Sequence, residues 1–192
     1  MSGGPDLFAV LGLERSPALS EEMIEEAYAR LALSAHPDRD GGSTARMSEL
    51  NLARRTLLQS AARIGHFLDA EGYPRVERGA VPDLVGALFG EVASVLNRAR
   101  AVVEKRDSAT SAITRAVVMG EVRDVLGALD GVDGRVRDQA VRLEREVSDW
   151  AAVSGAPLDA LDTLRRAIAF TERWGQQLAE SRAVLGGATR GG

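Results

Sequence analysis

The 192-residue sequence contains no cysteine. No disulfide framework can form, no thiolate can hold zinc or an iron–sulfur cluster, and no Cys nucleophile exists. Aromatic residues make up only 4%. So few large flat side chains leave little basis for a β-rich fold, whereas the plentiful Ala, Leu, Val, Arg and Glu favour helices. The chain lacks a basic excess: its net charge is −4. Without surplus Lys and Arg there is no charge to drive phosphate-backbone binding, so no nucleic-acid partner is expected. No apolar run reaches the ~20 residues that a membrane span needs. The N-terminal "MSGGPDLFAVLGL" has no basic leader region, so it does not read as a signal peptide and a soluble, cytoplasmic protein is expected. Only two histidines occur, too few for a histidine-rich metal site. No phosphate loop and no carboxylate–histidine constellation stands out. No catalytic residue, metal ligand or cofactor is therefore assigned.

What is present is helical periodicity. Leu7, Phe8, Val10 and Leu11 form a short apolar segment that ends at Gly12, and Ser16-Pro17 then breaks the chain. Ser20 suits an N-cap, with Glu21 and Glu22 favourably placed in the first turn that follows. Ile24, Ala27, Tyr28, Leu31 and Ala35 recur at three- and four-residue steps, which predicts a helix over 21–35 with one buried face. Pro37 stops it, because the residue before a proline is pushed out of the α region. A second long helix is predicted from 44 to about 72, with Met47, Leu50, Ala53, Leu57, Ala61, Ile64 and Leu68 inside. Two long helices joined by a short loop make an antiparallel hairpin.

"LALSAHPDRDGG", residues 31–42, therefore places His36, Pro37 and Asp38 at a hairpin tip. A tip offers no pocket, orienting partner or nucleophile for a catalytic histidine. A helix stop followed by a turn accounts for Pro37 and Asp38 but not for the triplet. A chance His-Pro-Asp would occur in about one chain in a hundred of this length.

Residues 76–192 contain four further predicted helical segments, at 82–106, 109–129, 134–153 and 158–185. Their stripes of Leu, Val, Ile and Trp are expected to form the core of an antiparallel bundle. "DGVDG" reads as a turn between the second and third segments, and "GGATRGG" as a disordered tail near 186–192. The expected architecture is all-α. It has an N-terminal domain at 1–75, a short helix plus a helical hairpin, and a C-terminal helical bundle at 76–192. No surplus apolar stripe calls for a partner copy, and a monomer is expected.

The segments "DLFAVLGL", "EEAYARLALSAHPDRD" and "LNLARRTL" together resemble a J-domain, the module by which J-protein co-chaperones engage heat-shock-70-type ATPases. The resemblance implies that His36, Pro37 and Asp38, flanked by Arg30 and Arg39, dock on such a chaperone and stimulate its ATP hydrolysis. Pro37 would fix the backbone, and Asp38 would offer a carboxylate to a cationic group. The family often has a basic second helix, with a lysine and an aromatic before the triplet. Here residues 20–38 carry Glu21, Glu22, Glu25, Glu26 and Asp38 against Arg30 alone, and Ser34 and Ala35 precede the triplet. Weaker electrostatic steering toward an acidic surface follows.

Two further stretches, "LNLARRTLLQSAARIGHFLDAEGYP" and "LDALDTLRRAIAFTERW", resemble the HscB-type co-chaperones of iron–sulfur cluster assembly. In that family the C-terminal bundle holds the scaffold protein through a Leu-Met and Glu-Leu-Arg-Glu patch. The nearest match, "MGEVRDVL", assigns Glu121, Val122, Arg123 and Asp124 to it, with Val117 beside them and Phe170 from the closing helix. This alignment makes 82–106 an extra helix. A second alignment, at "DLVGALF", lacks the charged residues, and the first is preferred. The implied protein is an adaptor that passes a client, the scaffold protein, to the chaperone. The alternative is a J-like structural or regulatory protein whose bundle binds another partner and which stimulates no ATPase.

Overall fold

The computed structural model describes residues 5–35, 43–75 and 80–187. They form seven helices and, among the described residues, no strand, as an all-α chain requires. The helices are α1 (Leu7–Leu11), α2 (Glu21–Ala35), α3 (Thr44–Leu58), α4 (Ser60–Ala70), α5 (Asp83–Ser108), α6 (Ala112–Ala151) and α7 (Leu158–Gly186). Two compact units result, each drawn from separate parts of the chain. The first comprises Met1–Ala80 with Leu143–Ile168, and the second Val81–Arg142 with Ala169–Gly192. Among the described residues no helix is long and apolar enough to cross a membrane.

In the first unit, Asp6 caps α1 by accepting from the Phe8 and Ala9 N–H groups. Gly12 closes the helix in the left-handed region at φ 65°, where a side chain would be strained. The N–H groups of Gly12 and Leu13 then reach back to the carbonyls of Ala9 and Phe8. Ser20 Oγ accepts from Met23 N–H at 3.2 Å, as its place before two glutamates predicts. Phe8, Leu11, Ile24, Ala27, Leu50, Ala53 and Leu57 form the core between α1, α2 and α3, with Tyr28, Leu31 and Met47 half-buried at its margin.

The predicted helix over 44–72 is not continuous. It breaks at Gln59, which is extended at φ −87°, ψ 112°, and ends at Ala70. Neither glycine nor proline marks the break, which is why hydrophobic spacing alone reads through it. The buried Arg63 guanidinium stabilises it, donating to the carbonyls of Leu57 (2.8 Å) and Pro17 (2.9 Å) and to Ser60 Oγ (3.1 Å). A helix end leaves carbonyls without partners, and Arg63 supplies one of them with a donor.

Residues 143–168 complete this unit. Glu144 approaches Arg63 at 3.5 Å. The Trp150 ring meets Phe67 edge-on at 6.0 Å, and its indole N–H donates to the Pro157 carbonyl across the α6–α7 turn. Asp162, only 2% exposed, accepts from Arg165 Nε at 2.7 Å.

The second unit corrects another expectation. "DGVDG" is no turn: α6 runs unbroken through it, so one 40-residue helix replaces the second and third predicted segments. Tertiary burial overrides the local signal. Val118, Val122, Val125, Leu129, Val132 and Val136 are buried at alternating four- and three-residue steps that continue without a phase slip across the glycines. Asp133 is buried too, and its carboxylate is held by Arg137 on the same helix and by Arg182 of α7. Hydrogen bonding from Asp133, opposed by partial burial and reinforced by Asp130, raises the Arg182 pKa above its already high value.

Glycine in an exposed helix interior costs up to about 1 kcal/mol relative to alanine. Gly134 is exposed, and a Cβ there would meet nothing within 4 Å. Gly134→Ala should therefore raise the stability of the second unit by about 0.5–1 kcal/mol in urea unfolding. A genuine turn at this point would give no gain.

Candidate functional site

His36, Pro37, Asp38 and Arg39 lie outside the described residues, in the connection between α2 and α3. The elements that hold this connection are described on both sides. α2 ends at Ala35, and α3 opens with Ser43 as its N-cap, whose Oγ accepts from Arg46 N–H at 3.1 Å. The Ser43 N–H donates to the Ala35 carbonyl at 3.2 Å. The ends of the connection are thus joined by a hydrogen bond, and His36 follows directly on the last helical residue.

Farther down the hairpin a polar brace sets the register of α2 against α3. Arg54 forks onto Glu25 with bonds of 2.7 and 2.6 Å. Its guanidinium also stands over the Tyr28 ring at 5.1 Å, while the Tyr28 hydroxyl donates to Asn51. Bidentate geometry holds an arginine more firmly than a point contact would. The Arg54 hydrogen bond, outweighing desolvation, keeps the Glu25 pKa below its ordinary value, and Glu25 in turn raises that of Arg54.

The free face of α2 is exposed at Glu22, Met23, Glu26, Arg30 and Leu33. Arg30, one of the expected docking residues, makes no ion pair among the described residues. Leu33, 65% exposed, is an apolar neighbour that sequence reasoning did not assign. It falls outside the 24–27–31–35 core stripe, and that phase was visible in the sequence.

The residues expected to hold a client are all in the second unit. Val117 is 60% exposed, one turn after Ile113 at 80%. Glu121 pairs with Lys105 of α5 at 2.7 Å. Arg123 and Asp124 face outward, and Asp124 and Glu121 border a cleft of about 220 Å³ with Arg98 and Val102 of α5. Val122 is fully buried and serves the core rather than the surface.

Phe170 has a different setting. Its ring lies 5.5 Å from that of Trp174, which lies 6.4 Å from Phe89 of α5. Arg173 stands over the Phe170 ring at 5.8 Å. The ring contacts of Phe170 thus lead to α5, within the "DLVGALF" helix of the second alignment. Phe89 is 49% exposed. A signal existed: a phenylalanine between glycines in a chain with four Phe, two Trp and two Tyr.

Among the described residues no group of three or more His, Asp and Glu is arranged to hold a metal ion. No curated protein and no solved structure matches the chain. Residues 6–64 match the family model described as the DnaJ domain. That stretch runs from the cap of α1 through the α2–α3 hairpin to the first turns of α4, and it contains the His-Pro-Asp triplet. The N-terminal part of the chain is thus a DnaJ domain, and a helical region follows it.

Proposed function

We propose that this protein is a co-chaperone that stimulates a heat-shock-70-type ATPase through His36, Pro37 and Asp38, with Arg30 and Arg39 as flanking contacts. Proteins built on this domain are co-chaperones of such ATPases and not enzymes themselves. The observation that carries the reading is the DnaJ-domain match over residues 6–64, which contains the triplet; the Ala35–Ser43 hydrogen bond joins the ends of the connection that bears it. Joining the ends of a connection lowers the entropy lost when it is ordered. Pro37 removes further freedom by fixing one φ angle.

The finer proposal concerns the client. With no cysteine the chain cannot bind an iron–sulfur cluster through thiolates. It would act on a protein that does, the scaffold of cluster assembly, as HscB-type co-chaperones do. Two surfaces of the second unit are candidates for that contact. One is the exposed stretch of α6 that carries Val117, Glu121 and Asp124 on one face and Arg123 on another. The other is the Phe89–Trp174–Phe170 cluster with Arg173, whose aromatic and arginine composition is that of interface hot spots. The cluster is the stronger candidate, because one of its rings is half-exposed and the others stand beside it.

A second reading, a J-like regulatory protein that stimulates no ATPase, is favoured by the acidic free face of α2, where Glu22 and Glu26 outnumber Arg30.

The client proposal is tested by isothermal calorimetry of the full chain with the iron–sulfur scaffold protein. Phe89→Ala should weaken binding about tenfold or more, and Arg123→Ala should do so if the α6 stretch contributes through its arginine. Wild-type protein that binds no scaffold would remove this client and leave the chaperone reading standing.

A further inference from the structure

His66 is not used by the chaperone or client surfaces, yet its side chain bonds from α4 to the start of α1. Its Nε2 accepts the Leu7 backbone N–H at 2.9 Å across 59 residues of sequence. Leu7 is the first residue of α1, so its N–H has no partner within the helix. Asp6 already serves the next two N–H groups, those of Phe8 and Ala9, through Oδ1. The two side chains together cap the first three residues of α1. The imidazole also lies 5.4 Å from the Phe8 ring, so it sits against the core that α1 enters.

This bond exists in only one protonation state. An Nε2 that accepts carries no proton, so the ring proton must be on Nδ1. Protonated histidine is a donor at both nitrogens. The Leu7 N–H and an Nε2–H would then point at each other, and the bond would be lost. The alternative partner is in place: Asp6 Oδ1 lies 3.8 Å from Nε2.

The charged groups around the ring can be followed element by element. At the head of α1 stands Asp6, whose Oδ2 is engaged by Arg15 at 2.7 Å from the segment after α1. Asp6 is partly buried, which alone would raise its pKa, but the Arg15 hydrogen bond, the Ala9 and Phe8 N–H groups and the Arg15 charge together hold it below the ordinary value. It therefore stays ionised throughout the range in which a histidine titrates. On α4, Arg63 is bound to the Leu57 and Pro17 carbonyls, and Asp69 to Arg75. From residues 143–168, Glu144 is directed to Arg63, and Trp150 to Phe67.

We propose that His66 is a pH-operated latch between α4 and the start of α1. In the neutral form it holds the Leu7 N–H. On protonation it releases that N–H and turns to Asp6 Oδ1, in competition with the Phe8 and Ala9 N–H groups. α1 then loses one cap and shares another, and its first turn loosens while the core behind it stays packed. Both ends of the latch lie in the first unit, and it does not depend on which client is bound.

The test is NMR of the uniformly ¹⁵N-labelled full chain, titrated from about pH 8 to pH 5, the range in which histidines change charge. The His66 ring nitrogens should show the Nδ1–H tautomer at the upper end. The Leu7 amide shift should move with the same midpoint as the His66 ring, and Leu7 hydrogen-exchange protection, corrected for intrinsic rates, should fall at least tenfold. Amides of Leu50 and Leu57 should hold their protection, which separates a local release from unfolding. In His66→Gln the carboxamide oxygen accepts at every pH, so the Leu7 amide should stay flat across this range. A proton on Nε2 at pH 8, or a Leu7 amide that ignores the His66 titration in the wild type, would overturn the proposal.

Discussion

Replacing Arg63 by alanine should lower stability by about 3–5 kcal/mol, a fall in Tm on the order of 10 °C for a chain of this size. Arg63 is 4% exposed and donates to two backbone carbonyls from parts of the chain 40 residues apart, Pro17 and Leu57. Alanine would leave both carbonyls short of a donor, and a buried unsatisfied group costs about 1–3 kcal/mol. It would also remove the packed methylenes of the side chain and the approach of Glu144. Arg63→Lys keeps the charge, but a single ammonium cannot span the two carbonyls as a planar fork does. It should recover less than half of the loss. Urea unfolding followed by Trp150 fluorescence reads the correct unit, since Trp150 packs on Phe67 of α4. A Trp174→Phe background removes the other indole. A change below about 0.5 kcal/mol for Arg63→Ala would mean that the break at Gln59 is held by other means.

The helices that position the triplet were legible in the sequence because their signals are local. Ser20 before two glutamates and the 24–27–35 stripe lead to α2, and Gly12 to the end of α1, with no tertiary information needed. Two boundaries were not legible, and both are set by distant partners. The break at Gln59 depends on an arginine four residues later meeting a carbonyl at Pro17. The continuity of α6 depends on Asp133 meeting Arg182 of α7, against the two glycines of "DGVDG" that signal a turn. The same distinction holds at the surfaces. His36, Pro37 and Asp38 could be read as a motif, whereas the grouping of Phe89 with Trp174 and Phe170 depends on which face of α5 meets α7. Val122 shows the converse: sequence alignment assigns it to a surface patch, and the phase of α6 buries it.

His36→Gln should abolish most of the chaperone stimulation while leaving the fold intact. Glutamine is similar in size and polar, so the connection between Ala35 and Ser43 keeps its length and its closing hydrogen bond. What it loses is the imidazole ring as a docking group. A docking hot spot is worth about 2 kcal/mol or more, which corresponds to a roughly thirtyfold rise in the concentration needed for half-maximal stimulation. Unchanged unfolding in urea would show that the loss belongs to the docking surface. Pro37→Ala should act in the same direction but less strongly, since it frees one φ angle and removes no contacting polar group.

The proposed role is to drive ATP turnover by a heat-shock-70-type chaperone through the His-Pro-Asp triplet. It is tested most directly by steady-state ATP hydrolysis of the cognate chaperone, measured with rising concentrations of wild-type protein and of His36→Gln. A saturable rise in turnover is expected with the wild type, and little or none with the variant over the same range. A flat response to wild-type protein, or equal stimulation by the two, would contradict it.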